Sequence, residues 1–282
     1  MKSSEVNFVN QQLMSRLAKV NGFLLDMDGT LYVGPNAMTG ARAFISALKT
    51  ASLPYLVFTN NSSRAKGVYR DRLGKLSMET RLEHVLTSGD ASADYLANET
   101  TYRRVFVLGT EALKVACEGA GLTVCDAHEA PDCVLLGYDI TLTYASLTDA
   151  CLLVAKGLPY YATHADKTCI DPRGLLPDAG AIIAAIETTT GLKPTILGKP
   201  ELSMLDAGLR KLKKSKDQLI IVGDQLDTDI TMGAQHKVLS CLVLSGETSR
   251  KQLELSDVSP DIVVENIGEL HALFQQTGRL MN

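Results

Sequence analysis

The sequence predicts an α/β protein: a doubly wound parallel sheet with a smaller α/β domain inserted into it. Three observations predict it. Short apolar runs stop abruptly at polar residues, as buried parallel strands do where they deliver side chains to a site. Helical periodicity alternates with these runs at both ends of the chain, the mark of right-handed β-α-β crossovers. Between the two ends, about 100 residues carry an α/β pattern of their own, which is domain-sized. At 282 residues, 45% apolar and 21% charged, the chain suits a globular protein able to bury proper cores.

Taken in order, Gly22-Phe23-Leu24-Leu25 reads as a strand ending at Asp26-Met27-Asp28-Gly29-Thr30. A helix follows, with Ala43, Phe44, Ala47 and Leu48 spaced for one apolar face. Pro54 to Phe58 is the next strand, ending in Thr59-Asn60-Asn61-Ser62, and a helix covers Arg64 to Leu76. The same grammar returns later in the chain. Thr195-Ile196-Leu197 leads into Gly198-Lys199-Pro200 and a helix over Glu201 to Leu212. Leu219 to Val222 stops at Gly223-Asp224, Val238 to Leu244 is a further strand, Asp261 to Val264 an edge strand, and Ile267 to Phe274 a closing helix. Val105–Leu108, Cys133–Leu136 and Tyr160–Ala162 are the strands expected within the insertion. These readings assign residues 1–84 and 185–282 to the main domain and 85–184 to the inserted one.

Composition excludes several classes. Net charge is −4, and the densest basic stretch, Lys211 to Lys216, reads as a solvated helix end rather than a nucleic-acid patch. The six cysteines form no Cys-x-x-Cys pair and no zinc spacing, so they read as small hydrophobes in a reducing compartment. Asn60, Asn61 and Asn98 begin glycosylation triplets, but two of these overlap a candidate catalytic loop. Met1 to Val20 lacks a signal-peptide core, and no run offers the ~18 apolar residues needed to cross a bilayer. A soluble, cytoplasmic protein without nucleic-acid or membrane partners is expected.

The candidate chemistry sits just after the strands, where open α/β sheets bind ligands. Asp26 and Asp28 can reach one site if the chain turns at Gly29, dividing nucleophilic and proton-transfer work. Asp224 brings a third carboxylate, and three converging acids call for a cation; hard oxygen ligands suit Mg²⁺. Asp227 and Asp229 enrich that turn, with Thr228 placed to cap the following helix. Thr59 and Asn60 supply a hydroxyl and an amide for an anion, and Lys199 a full positive charge. An isolated Asp-x-Asp-Gly is usually a turn, yet no EF-hand loop completes it, and Pro200 stands where a Walker A loop needs Ser or Thr.

As an ordered set, Asp26-Met27-Asp28-Gly29-Thr30-Leu31, Thr59-Asn60-Asn61-Ser62, Gly198-Lys199-Pro200 and Gly223-Asp224-Gln225-Leu226-Asp227-Thr228-Asp229-Ile230 resemble the four motifs of the haloacid dehalogenase superfamily. The likeness is greatest to its NagD/p-nitrophenylphosphatase-like group, which has a large α/β cap and includes pyridoxal phosphate and phosphoglycolate phosphatases. The resemblance implies a phosphatase for small phosphate esters in which Asp26 forms an aspartyl-phosphate. Asp28 would then protonate the leaving group and activate water. Thr59 and Asn60 would hold phosphoryl oxygens and Lys199 would stabilise charge. Mg²⁺ would be held by Asp26, the Asp28 carbonyl and Asp224, with Asp229 behind them or at a further metal position. Two rivals stand beside it: a phosphomutase or phosphonatase of the same fold, and, from another class, a catalytically silent binding protein such as a sugar-phosphate sensor.

Substrate choice is expected in the inserted domain, at Thr163 to Asp166, Asp171 to Gly174 and Pro177 to Gly180. The group's return motif reads Pro-Gly-small-Gly, whereas Asp178 stands at the first glycine here. Such a glycine often marks positive φ, so Asp178 is expected to alter the backbone and to face the substrate. Arg173 is a candidate anion contact. His164 is a candidate too, although a lone loop histidine reads more readily as a surface residue. Tyr138 and Asp139 are assigned to the structure of the cap. Proteins of this group often pair through the cap, which leaves a homodimer open; no apolar stripe marks its surface.

Overall fold

The structure, a computed structural model, describes residues 12–171, 173–278 and 280. Residues 1–11 of the N-terminal stretch and Pro172 of the Asp171–Gly174 segment lie outside the described residues. In chain order the strands are β1 (Gly22–Leu25), β2 (Tyr32–Val33), β3 (Asn36–Ala37), β4 (Tyr55–Thr59) and β5 (Val85–Thr87). Next come β6 (Arg104–Leu108), β7 (Thr123–Val124), β8 (Cys133–Leu136), β9 (Tyr160–Ala162), β10 (Thr168–Asp171) and β11 (Gly174–Pro177). The last are β12 (Thr195–Ile196), β13 (Leu219–Gly223), β14 (Leu239–Val243) and β15 (Ile262–Val264). Two compact units form: Met1–Phe58, Arg70–Val85 and Gly208–Asn282 make the first, Thr59–Tyr69 and Leu86–Ala207 the second.

The first unit is built on a sheet ordered β15-β14-β13-β1-β4-β5. β1 pairs in parallel with β13 on one side and β4 on the other, and β13, β14 and β15 continue in parallel. Every residue of β1, β4, β13 and β14 is buried, which explains their unbroken apolar runs: a strand covered on both faces has no solvent side. On one face Phe23 meets Phe44 edge-on at 5.6 Å and Phe274 at 5.1 Å, joining β1 to the helices Ala41–Thr50 and Ile267–Gln276. The Ala41–Thr50 helix buries Ala41, Phe44, Ile45 and Leu48. The expected face was rotated slightly off this stripe, since Ala43 is exposed.

The second unit carries a parallel sheet ordered β12-β9-β8-β6-β7. Alternation along its strands separates two cores. Phe106, Leu108, Val134 and Leu136 face the helices Tyr144–Ala155 and Ala179–Thr190. Val105, Val107, Cys133 and Leu135 face Ala93 and Leu96 of Ser88–Glu99 and Leu113 and Cys117 of Glu111–Gly119. The two-residue β12 belongs to this sheet, pairing with β9 through Thr195↔Tyr161 and Ile196↔Ala162. The sequence grouped it with the later strands of the main domain; so short a run gives no clue to its partner sheet. All six cysteines are free thiols, four of them buried, and burial pushes Cys117 and Cys133 up to about 12. Among the described residues, no helix is long and apolar enough to cross a membrane.

Candidate active site

The first unit changes direction at β1. The chain winds outward through β4 and β5 on one side and through β13, β14 and β15 on the other. The carboxyl ends of β1 and β13 therefore flank a topological switch point, where open α/β sheets leave a crevice. Asp26 follows β1, its N–H donating to Val222 O at 2.8 Å, and Asp224 follows β13. Asp229 arrives from a single π-helical turn, Leu226–Ile230, a distortion that often marks functional sites. One carboxylate oxygen from each of Asp26, Asp224 and Asp229 lies within 4.8 Å of the other two, and all three residues are buried.

Glycines make this crowding possible. Gly29 has φ +83°, and a Cβ there would sit 2.1 Å from Asp224 Oδ2. A Cβ on Gly223 would sit 2.1 Å from Asp229 Cγ. Asp224 Oδ2 accepts a hydrogen bond from Glu247 N at 2.6 Å, which fixes the carboxylate. Three buried carboxylates so close are held together most readily by a divalent cation, and their hard oxygens suit one. Thr228 does not cap the next helix as expected. It lies inside the π turn and donates to Gln225 Oε1 at 3.1 Å.

Asp28 differs from Asp26. Its side chain is 61% exposed, so it stands outside the buried carboxylate group. Tyr32 OH donates to its Oδ2 at 3.4 Å, and Arg72 Nη1 lies 3.9 Å from its Oδ1.

The second unit gathers Thr59, Asn60, His164, Asp166, Asp178 and Lys199, all shielded from solvent except for the partly exposed Asp166. Asn60 organises this group. Its Oδ1 accepts from Lys199 N at 2.9 Å, while Nδ2 donates to Lys199 O at 3.2 Å and to both Asp166 oxygens at 3.3 Å. In the structure the Asn60 amide clamps the turn that carries Lys199. A Cβ on Gly198 would fall 2.2 Å from Thr163 O, so only glycine lets this turn come so close.

His164 is buried, not a surface residue. Its Nε2 pairs with Asp178 Oδ1 at 2.9 Å and its Nδ1 with Thr163 Oγ1 at 2.9 Å. Asp178 also accepts from Ala179 N, capping the helix Ala179–Thr190. Its φ is −111°, an extended backbone rather than the positive φ that a glycine at this position often marks. Asp178→Gly removes both the cap and the histidine's partner and is expected to lower stability by about 1–3 kcal/mol, read from thermal or urea unfolding. Arg173 sits exposed at the turn between β10 and β11. Tyr138 is structural, its N–H donating to Ser62 Oγ at 2.9 Å.

Burial raises the Asp166 carboxyl above its ordinary range, against the pull of His164, Lys199 and Asn60; Asp178 adds to the rise. A raised folded-state acid binds more protons folded than unfolded. Its contribution to stability therefore falls as pH rises from the unfolded carboxyl value through the folded one. Asp166→Asn is expected to raise Tm relative to wild type at pH 7, with the gain disappearing near pH 4. Asp166, Tyr32 and Arg72 are the residues that sequence reasoning did not single out. Asp166 stood inside a named segment, but no spacing rule links it to Asn60.

The family described as "Haloacid dehalogenase-like hydrolase" matches residues 23–123, and a second, "HAD-hyrolase-like", matches residues 196–270. An acid sugar phosphatase of Staphylococcus haemolyticus is 37% identical over 239 residues, 85% of this chain and 90% of that one. The crystal structure of a 4-nitrophenylphosphatase from Thermotoga maritima superposes with TM-score 0.86 at 41% identity, covering 90% and 97% of the two chains. A glycerol phosphate phosphatase from Mycobacterium tuberculosis, solved in complex with calcium, gives TM-score 0.84 at 29% identity, covering 90% of this chain and 76% of its own. The chain belongs to the haloacid dehalogenase-like hydrolases, within their NagD/p-nitrophenylphosphatase branch of phosphatases.

Proposed function

We propose that the protein hydrolyses small-molecule phosphate monoesters through an aspartyl-phosphate on Asp26, with Mg²⁺ as its divalent ion. The observation that carries this reading is the buried Asp26–Asp224–Asp229 carboxylate group at the switch point. The names of the relatives support ester hydrolysis on small substrates: an acid sugar phosphatase, a 4-nitrophenylphosphatase and a glycerol phosphate phosphatase.

In the first step an Asp26 oxygen bonds to phosphorus, the bond to the leaving alcohol breaks, and Asp28 gives that alcohol its proton. In the second step water bonds to phosphorus while Asp28 takes its proton. The bond to Asp26 then breaks, releasing inorganic phosphate. Thr59 and Lys199 bind phosphoryl oxygens, and Asn60 serves by holding the Lys199 turn in place. Asp26, Asp224 and the Asp28 carbonyl would hold Mg²⁺, with Asp229 beside them; when bound, the ion neutralises phosphoryl charge, the main requirement of phosphoryl transfer. The buried pair His164 and Asp178 and the exposed Arg173 are the residues through which the second unit would influence substrate choice.

The test is phosphate release from p-nitrophenyl phosphate and from a panel of sugar phosphates, phosphoglycolate, pyridoxal phosphate and nucleotides, with Mg²⁺ or with EDTA. Turnover that requires Mg²⁺ and disappears in Asp26→Asn supports the reading. Metal binding without turnover of any ester would replace it with a sensor, and return of the phosphoryl group to a second hydroxyl would replace it with a mutase.

A further inference from the structure

Asp28 must do demanding work for a side chain that is 61% exposed. A carboxylate in water samples several rotamers, and proton transfer needs it aimed at one oxygen. Two neighbours from separate elements restrain it. Tyr32, wholly buried in β2, directs its hydroxyl at Oδ2, 3.4 Å away. Arg72, in the last turn of the helix Lys66–Lys75, faces Oδ1 at 3.9 Å.

Arg72 is itself anchored. Its Nη2 donates to Gly34 O at 2.9 Å, in the turn of the β2–β3 hairpin, and its Cζ lies 4.1 Å over the Tyr32 ring. The guanidinium therefore binds the hairpin's backbone and one of its rings while leaving a third edge toward Asp28. A planar fork with five N–H groups meets a carbonyl, a ring face and a carboxylate in one fixed geometry, which a lysine's compact ammonium does not offer. For an ordinary surface cation, contact with a single carboxylate would be the whole story, and such pairs contribute little. Here the same side chain links the helix, the hairpin and the proposed proton carrier.

We propose that Arg72, with Tyr32, is a positioning residue for Asp28, holding its carboxylate in the orientation that delivers a proton to the leaving oxygen. The proposal rests on the phosphatase reading, and leaving-group chemistry separates the two. Nitrophenolate departs without needing a proton, whereas an alkoxide does not. Displacing Asp28 therefore penalises the first step for alkyl esters and spares it for p-nitrophenyl phosphate. The second step, in which Asp28 activates water, slows for both alike, so the contrast is read in kcat/KM, which reports the first step alone.

The experiment measures kcat and KM for p-nitrophenyl phosphate and for an alkyl phosphate turned over by the wild type, in Arg72→Ala, Tyr32→Phe and Asp28→Asn, with melting temperatures as a check on folding. Arg72→Ala is expected to lower kcat/KM for the alkyl ester by about tenfold or more, with the aryl kcat/KM within about threefold. Tyr32→Phe should fall in the same direction by less, and Asp28→Asn by more. If Arg72→Ala fails to fold, Tyr32→Phe, which keeps the buried ring, decides the matter. Equal losses of kcat/KM on both esters would make Arg72 a binding or structural residue and overturn the proposal, as would no loss on either. A wild type that hydrolyses only the aryl ester would overturn the idea that Asp28 delivers a proton at all. A wild type inactive on every ester would overturn the phosphatase reading itself, and the proposal with it.

Discussion

Asp26→Asn is expected to reduce turnover of every ester by about 10⁴-fold or more and to remove most of the stabilisation that Mg²⁺ confers. The first loss follows from chemistry: an amide oxygen is a poor nucleophile toward phosphorus, and no other group replaces the missing covalent step. The second follows from linkage. An ion that binds only the folded protein adds about 2.7 kcal/mol when present at 100 times its Kd, seen as a rise in Tm that EDTA reverses. With oxygens of Asp26, Asp224 and Asp229 within 4.8 Å of one another, removing one charge weakens the site for any divalent ion. Thermal melts with and without Mg²⁺, run beside the activity assay, test both halves. A variant that lost activity yet kept the full metal-dependent rise would place the ion elsewhere.

Asn60→Ala is expected to be the most disruptive single change in the second unit. It would leave Lys199 N, Lys199 O and the Asp166 carboxylate without the partner that each now has. Buried polar groups stripped of a partner cost about 1–3 kcal/mol each before relaxation, so a loss of about 2–4 kcal/mol is expected by urea unfolding. On the role proposed for Lys199, activity should fall by about 10²-fold, because a misplaced ammonium would no longer meet the phosphoryl group. Asn60→Asp is expected to be no better. It keeps an acceptor for Lys199 N but sets a carboxylate against Asp166 and against a carbonyl that needs a donor. Equal kcat/KM in wild type and Asn60→Ala would refute the clamp.

These two residues also show how far the sequence could be read. Asp26 was legible because a four-residue apolar run ending in a carboxylate has few meanings, and the same reasoning applied to Leu219–Gly223 located Asp224. Thr59 and Lys199 were legible as members of an ordered set. Asn60 was legible as a candidate residue, but its contact with the Lys199 turn was not: an amide can bind an anion or a backbone, and spacing alone does not choose between them. His164 shows the same limit from another side. A lone loop histidine usually faces water, and its burial depends on Asp178, fourteen positions later, folding back to pair with it. The edge strand Val85–Thr87 and the two-residue β12 went unread or unplaced because such short runs acquire meaning only from their neighbours. Arg72 carries no motif at all; its partners come from a hairpin nearly forty residues away.

The sheet order has a consequence for how the molecule comes into being. β1 is made early, yet one of its two neighbours is β13, and the carboxylates at the ends of this pair are roughly 200 residues apart in the chain, a separation that delays closure. During synthesis Asp26 emerges long before Asp224 and Asp229 exist, so a ribosome-bound fragment holds one acid of the three. Metal capture would thus be a late event in maturation, and chains truncated before residue 224 should accumulate without it, exposing the unpaired backbone edge of β1 that β13 would have covered.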